Sequence, residues 1–309
     1  MPVALLFPGQ GSQHPAMFAG MEHTPEVDQL MERARDMGCD LRAVLATGDA
    51  ALLTQTQFAQ PALFIASVVV GARVVRSLDV CVVAGHSVGE LAAAVVAGFF
   101  SLEDGLSLVI ERGRLMAAMA TGSMAALIGV ELAQVEEWCT AVAPDLGHVV
   151  VANDNAPGQI VVSGTAAALK ELYRIAQAGG ARRIVELSVG GAFHSPLMHE
   201  AARQFAMRIE AMPMATPSLP LVANYSGDVV SGVEEFRQCL TQQMEHRVQW
   251  TQSVRCIAGL GATMAVECGP GKVLSSLVHR TDPSLKCVQV PSIVAAADFL
   301  AQHRGVAVD

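Results

Sequence analysis

The chain has 309 residues, 52% of them apolar and only 16% charged, with a formal net charge of −9. That length supports a full-sized core and two folding units, and the acidic balance argues against nucleic acid as a partner. The longest apolar runs, residues 61–75 and 80–100, are interrupted by Arg73 and by His86 with Glu90, so neither offers the uninterrupted stretch of about 18 apolar residues that a bilayer helix needs. The abundance of Ala, Gly and Val points instead to a tightly packed α/β interior with strands buried on both faces. Seven scattered cysteines, odd in number and without a C-x-x-C pair, read as reduced thiols and not as a disulfide framework or a zinc site. The first residues carry no basic region and no cleavage-site pattern, so no signal peptide is expected and the location is expected to be cytoplasmic.

In chain order, residues 4–7 read as a strand, 25–39 as a helix, 60–77 as a long apolar helix and 80–84 as a buried strand. Residues 90–97 are helical, and Ser101 opens another helix with a capping-box-like start in which Asp104 stands for the usual glutamate. This alternation predicts a mainly parallel sheet covered by helices. The next stretch reads as strand 124–130, helix 132–142, strand 148–152, a turn over 153–158, strand 159–163, helix 165–178 and strand 183–187. That β-α-β-β-α-β order matches the ferredoxin-like motif and predicts a compact inserted unit. Segments 196–211, 221–224, 233–243, 252–259 and 263–267 then return the chain to the larger unit. The expected division is therefore a discontinuous catalytic domain, residues 1–121 and 192–309, and a small subdomain, residues 122–191.

The strand at 80–84 runs directly into Gly85-His-Ser-Val-Gly89 and then into a helix. Strand, G-x-S-x-G and helix in that order are the context of a nucleophile elbow. Ser87 is then an exposed nucleophile at a strained corner, with a helix N-terminus behind it that favours developing negative charge. The alternative is an ordinary tight turn whose serine caps the helix. Among nine histidines, His194 is the best placed base, because it sits in a glycine-rich joint between the two expected units. It also reads as a loop histidine satisfied by backbone. His86 points to the other side of its strand and reads as a packing group, and no acidic residue offers itself as a third triad member.

On a helical wheel at about 100° per residue, Arg112 falls inside the apolar arc formed by Leu102, Leu106, Val109, Ile110, Leu115 and Met116. A guanidinium facing a core requires an anionic partner. That partner is either an internal Asp or Glu, or the carboxylate of a substrate held by two parallel hydrogen bonds. The glycine-rich turn Phe7-Pro-Gly-Gln-Gly-Ser-Gln13 follows the first strand without a P-loop ending or a dinucleotide fingerprint. It reads as a source of backbone donors for an oxyanion.

These motifs together resemble the malonyl-CoA:acyl carrier protein transacylase family. The matching pieces are Phe7-Pro-Gly-Gln-Gly-Ser-Gln, Gly85-His-Ser-Val-Gly-Glu, Arg112 in Glu-Arg-Gly-Arg-Leu-Met, and Gly191-Ala-Phe-His-Ser-Pro-Leu-Met. Val248-Gln-Trp-Thr and Glu267-Cys-Gly-Pro-Gly-Lys-Val-Leu extend the match toward the C-terminus. The resemblance covers essentially the whole chain. It implies an α/β-hydrolase-like domain with a ferredoxin-like insertion, in agreement with the pattern above.

It also implies roles. Ser87 would attack the thioester of malonyl-CoA with His194 as base, and the phosphopantetheine thiol of an acyl carrier protein would collect the acyl group. The backbone N–H groups of Gln10 and Val88 would form the oxyanion hole, Val88 replacing a leucine common in the family. Gln249 would orient His194 through its backbone carbonyl, Arg112 would clamp the malonyl carboxylate, and Phe193 would exclude an α-methyl group. No metal and no permanently bound cofactor is implied, and the chain is expected to act as a monomer without membrane contact. Arg182, Arg183, Lys272 and Arg280 are candidates for a basic patch that meets an acidic carrier protein. Two other readings share these residues: an acyl hydrolase of the same fold, and a non-catalytic docking subunit of a synthase assembly.

Overall fold

A computed structural model describes residues 2–21, 23–119 and 121–303; the ends of the expected catalytic domain at residues 1 and 304–309, with positions 22 and 120 inside it, lie outside the described residues. The first part of the chain contains β1 (Val3–Phe7), α1 (Pro25–Asp36), α2 (Leu41–Ala46), α3 (Ala50–Thr54), α4 (Thr56–Val74), β2 (Val80–Gly85), α5 (Gly89–Ala97) and α6 (Leu102–Ala118). There follow β3 (Ser123–Ile128), α7 (Leu132–Ala141), β4 (Val149–Ala156), β5 (Gln159–Gly164), α8 (Ala166–Ala178) and β6 (Arg183–Glu186). The last part contains α9 (His199–Glu210), β7 (Leu221–Val222), β8 (Val229–Val230), α10 (Val233–Gln242), α11 (Trp250–Gly259), β9 (Met264–Cys268), α12 (Val273–Thr281), β10 (Lys286–Val290) and α13 (Ile293–His303).

Six strands form one sheet in the order β10-β9-β1-β2-β7-β8. All its pairings are parallel except β7 with β8. Strand β1 shows why it is apolar throughout. Val3, Leu5 and Phe7 enter the larger core cluster, whereas Ala4 and Leu6 enter a second one with Trp250, Leu274 and Leu277. Alternate side chains therefore reach helices on opposite faces of the sheet. The other sheet is antiparallel in the order β4-β5-β3-β6, the pairing of a ferredoxin-like β-α-β-β-α-β unit.

Helix α4 is 19 residues long and apolar enough to cross a membrane by length and composition, but 78% of that window is buried inside the protein. It begins at Thr56, four residues before the expected start, and carries Pro61 in its interior. Proline supplies no N–H, so the carbonyl one turn earlier, Gln57 O, loses its helical donor. The Cys39 thiol faces that carbonyl at 3.8 Å.

Strand β4 corrects the sequence expectation of a turn over residues 153–158. The strand continues to Ala156 and leaves only Pro157 and Gly158 for the turn. The reason is tertiary: the Asp154 N–H donates to Val248 O at 3.0 Å and the Val248 N–H to Ala152 O at 2.9 Å. Asn153 and Asn155 are buried, so polar residues that look like a turn belong to a strand stitched to the segment at Val248.

Candidate active site

Ser87 stands between β2 and α5 with φ 52°, a left-handed conformation that costs a non-glycine residue energy and persists only where its surroundings enforce it. The enforcement is visible in the flanking glycines. A Cβ at Gly85 would overlap the backbone of Gly89 and Glu90, and a Cβ at Gly89 would overlap the carbonyl of Phe7. Strand, corner and helix therefore close to a distance that only glycine permits. The Ser87 N–H is held by Asn224 Oδ1 at 2.6 Å, and Asn224 Nδ2 in turn donates to Gly85 O.

His194 comes from the loop after β6, also with positive φ, 55°. Its Nε2 lies 2.8 Å from Ser87 Oγ, and its Nδ1 faces the carbonyls of Gln243 at 2.8 Å and His246 at 3.2 Å. Carbonyls only accept, so Nδ1 carries the proton and Nε2 presents its lone pair to the serine. Burial, followed by the charge of Arg112, pushes the imidazole down to about 3 despite those carbonyls. It is neutral at physiological pH, as a base must be before it acts.

The orienting carbonyl differs from the expected one. Gln249 caps the start of α11, and its carbonyl accepts from Ser253 N–H and Ser253 Oγ, both at 2.9 Å. Gln243 instead stands at the C-terminal end of α10, where the last carbonyls have no helical donor. Such a carbonyl is free to bind an imidazole, and the negative end of the helix dipole there favours a protonated ring over a neutral one.

Arg112 is fully buried. Its NH1 donates to Gln60 Oε1 at 2.8 Å, its Nε and NH2 to Gln243 Oε1 at 3.2 and 2.8 Å, and NH2 also to Ser87 Oγ at 3.2 Å. Every one of these partners is uncharged, so among the described residues the guanidinium has no carboxylate in direct contact. Burial lowers it to about 10 while Glu90 pulls the other way, which leaves it protonated at neutral pH.

Ser87, His194, Arg112, Gln10, Val88 and Phe193 all line one cavity of about 220 Å³. Helix α12 contributes Val273 and Leu277 to its wall, and the antiparallel sheet contributes Met124, Ala126 and Val161. The cavity thus lies between the two sheets. Neither Gln10 N–H nor Val88 N–H is engaged by another described residue, whereas the Gln10 side chain is tied to Thr54 O and Thr56 Oγ1 at 3.3 and 3.2 Å. His86 also lines the cavity. Its Nε2 meets Asn155 Oδ1 at 2.8 Å and its ring stands edge-on to Trp250.

Sequence reasoning missed Gln243, Asn224, Gln60 and Glu90. Glu90 had a signal, a single carboxylate opening an otherwise apolar helix; the three amides had none, because nothing local distinguishes them from surface Asn and Gln.

The acyl transferase domain family matches residues 4–298. The chain is 35% identical over 298 residues to the malonyl CoA-acyl carrier protein transacylase of Bacillus subtilis, covering 93% of each chain. It superposes with a TM-score of 0.90 on the malonyl-CoA:acyl carrier protein transacylase of Xanthomonas oryzae, at 38% identity and with 98% and 99% of the two chains covered. A similar match, with a TM-score of 0.91, 33% identity and 98% and 100% coverage, is to a malonyl-transacylase in complex with its type II polyketide acyl carrier protein.

Proposed function

The chain belongs to the acyl transferase family, and we propose that Ser87, His194 and Arg112 are the residues with which it carries a malonyl group from malonyl-CoA to the phosphopantetheine thiol of an acyl carrier protein. It is an acyltransferase. The observation that carries the residue assignment is the three-way contact at Ser87 Oγ: His194 Nε2 at 2.8 Å on one side and Arg112 NH2 at 3.2 Å on another.

In the first half-reaction Ser87 Oγ attacks the thioester carbonyl while Nε2 of His194 takes its proton. The oxyanion forms against the N–H groups of Gln10 and Val88. His194, now an imidazolium held by the Gln243 carbonyl, returns the proton to the departing CoA sulfur. The carrier thiol then repeats the steps in reverse and leaves Ser87 free. No carboxylate is needed as a third triad member, since backbone carbonyls fix the imidazole tautomer.

The acyl unit follows from distance. A malonyl carboxylate sits two C–C bonds, about 2.5 Å, from the carbonyl carbon under attack. A guanidinium touching the nucleophile is therefore within reach of a three-carbon diacid. Acetyl would leave that buried cation unpaired, and Phe193, buried beside His194, crowds an α-methyl.

We take residues 122–191 as the inserted subdomain, because their strands make a separate sheet that covers the cavity. Of the four candidates for a basic patch, Arg280 and Arg182 stand near that cavity. Arg280 donates to Gln159 Oε1 at 2.6 Å and to Pro157 O at 3.1 Å, and Gln159 is a lining residue. A Cβ at Gly129 would meet Arg182, and a Cβ at Gly158 would meet both Gly129 and Arg280. Two arginines far apart in sequence therefore flank the same glycine contact, which supports a part for them in meeting an acidic carrier protein. Seven free cysteines fit an enzyme of the cytoplasm.

The test is to incubate the protein with malonyl-CoA and then with holo acyl carrier protein, following both by mass spectrometry. A malonyl adduct on Ser87 that moves to the carrier is expected, and is absent in Ser87→Ala. Absence of the adduct in the parent protein sinks the assignment. Loss of the acyl group to water faster than to the carrier makes the protein a hydrolase.

A further inference from the structure

Glu90 is 1% exposed, on the first turn of a helix whose other residues are Gly89 and the apolar run Leu91–Ala97. Its two oxygens are both occupied. Oε1 accepts the Asn224 N–H at 2.8 Å, and Oε2 accepts Gln243 Nε2. Asn224 holds the Ser87 N–H, and Gln243 holds Arg112. A residue absent from the cavity wall thus sits behind both the nucleophile and the cation.

The Gln243 amide has no freedom in this arrangement. Its nitrogen donates to Glu90 Oε2 and to Ser87 O, the latter at 3.0 Å, and its oxygen accepts both Arg112 Nε and Arg112 NH2. A carboxylate and a carbonyl can only accept, and a guanidinium can only donate. Rotating the amide by half a turn would set oxygen against the two acceptors and NH2 against the cation. The carboxylate at Glu90, together with the Ser87 carbonyl, holds the Gln243 NH2 on its side, and Gln243 anchors the Arg112 fork.

The interposed glutamine has a second effect. Glu90 provides a buried negative charge near Arg112 without touching it. A direct ion pair would occupy the donors that a substrate carboxylate needs. With Gln243 between them, the guanidinium is steadied electrostatically and keeps its capacity to bind an anion.

We propose that Glu90 is a positioning residue for acyl-group selection, acting through the Gln243 amide to hold Arg112 ready for the malonyl carboxylate. The proposal rests on the reading that Arg112 binds that carboxylate. Protonated Glu90, or glutamine in its place, presents a donor to Gln243. Ser87 O and the Arg112 fork still hold the amide with its NH2 toward position 90, so donor meets donor, the contact to position 90 breaks and the Arg112 anchor loosens.

Burial raises the Glu90 carboxyl to about 7, against the Asn224 N–H, the Gln243 amide and the Arg112 charge. Among the described residues, the other titratable group facing it is Cys239 of α10, whose thiol burial keeps neutral. His194 serves malonyl- and acetyl-CoA alike, so its titration cancels in the ratio of the two.

The experiment measures kcat/KM for Ser87 acylation by malonyl-CoA and by acetyl-CoA, from about pH 5.5 to 8.5, with the full chain and with Glu90→Gln. In the parent protein the malonyl-to-acetyl ratio falls as pH drops through about 7. At the alkaline end E90Q lowers the ratio about ten- to a hundredfold, the worth of a hydrogen bond to a charged group, and its ratio no longer depends on pH. A purely structural role would depress both substrates together and leave the ratio unchanged, which overturns the proposal. Should E90Q fail to fold, a flat ratio across the pH range in the parent overturns it equally. A parent ratio near one at every pH instead refutes the Arg112 reading beneath it.

Discussion

Replacing Arg112 by alanine isolates the interaction on which the proposed acyl selection rests. The side chain is fully buried, and its contacts are to Gln60, Gln243 and Ser87, all uncharged. Neutral hydrogen bonds offset only part of its desolvation, and among the described residues no carboxylate touches it until a substrate supplies one. Removing one member of a buried charge pair costs about 3–5 kcal/mol. At about 1.36 kcal/mol per tenfold, malonyl transfer falls by a factor of about 150 to 5,000. Acetyl-CoA has no carboxylate to lose, and in the parent it leaves the cation unpaired, so the malonyl-to-acetyl ratio falls at least as far. The variant also strands the Gln60 and Gln243 oxygens, at about 1–3 kcal/mol each if they find no water. Stability therefore drops too, and the ratio must be taken on one preparation so that the folded fraction cancels. The assay is acyl-enzyme formation from each thioester by rapid quench and mass spectrometry. An unchanged malonyl-to-acetyl preference would refute the reasoning and return Arg112 to a structural role.

His194, held down to about 3 by burial and Arg112, binds no proton between that value and its ordinary 6.5. The kcat/KM for acetyl-CoA, which does not call on the arginine, should stay level as pH falls to about 5; an acid limb near 6.5 contradicts the geometry. Gly89→Ala places a Cβ against the Phe7 carbonyl and should cost about 3 kcal/mol or more in chemical denaturation. Gly259→Ala, in α11 with open space at that position, should be neutral or stabilising by up to about 1 kcal/mol; equal behaviour of the two would remove the steric argument for the elbow. Phe193→Ser opens the wall beside His194 and should raise methylmalonyl-CoA relative to malonyl-CoA by about tenfold or more, since one methyl is worth about 1–3 kcal/mol. No change in that ratio would clear Phe193 of a part in selection.

The resemblance between sequence expectation and structure is closest where a feature depends on neighbours along the chain. The elbow is contiguous: strand, glycine, serine, glycine and helix specify their own geometry, and Gly85 and Gly89 are required by the very approach they permit. Arg112 stood out because helical periodicity carries it onto an apolar face, and periodicity is a local property. Where expectation failed, a distant partner had decided the outcome. Residues 153–156 look like a turn because they are Asn, Asp, Asn and Ala, yet Val248 pairs with that segment and keeps it extended. Gln249 and Gln243 lie six positions apart, and the choice between them depended on where two helices begin and end. A carbonyl at the start of α11 is consumed by that helix; one at the end of α10 is left over.

The sequence by itself marked Ser87 as candidate nucleophile, His194 as candidate base, Arg112 as a core-facing cation and the two-sheet architecture, because apolar periodicity, glycine punctuation and motif order are written along the chain. Only the tertiary structure decided that Arg112 has no ionic partner of its own, that Gln243 holds both the base and the arginine, and that Glu90 stands behind them. The physical reason is that a buried polar group is defined by what satisfies it. Its donors and acceptors come from segments 25 to 156 positions away, and an amide or a carboxylate carries no local mark of the partner it will meet.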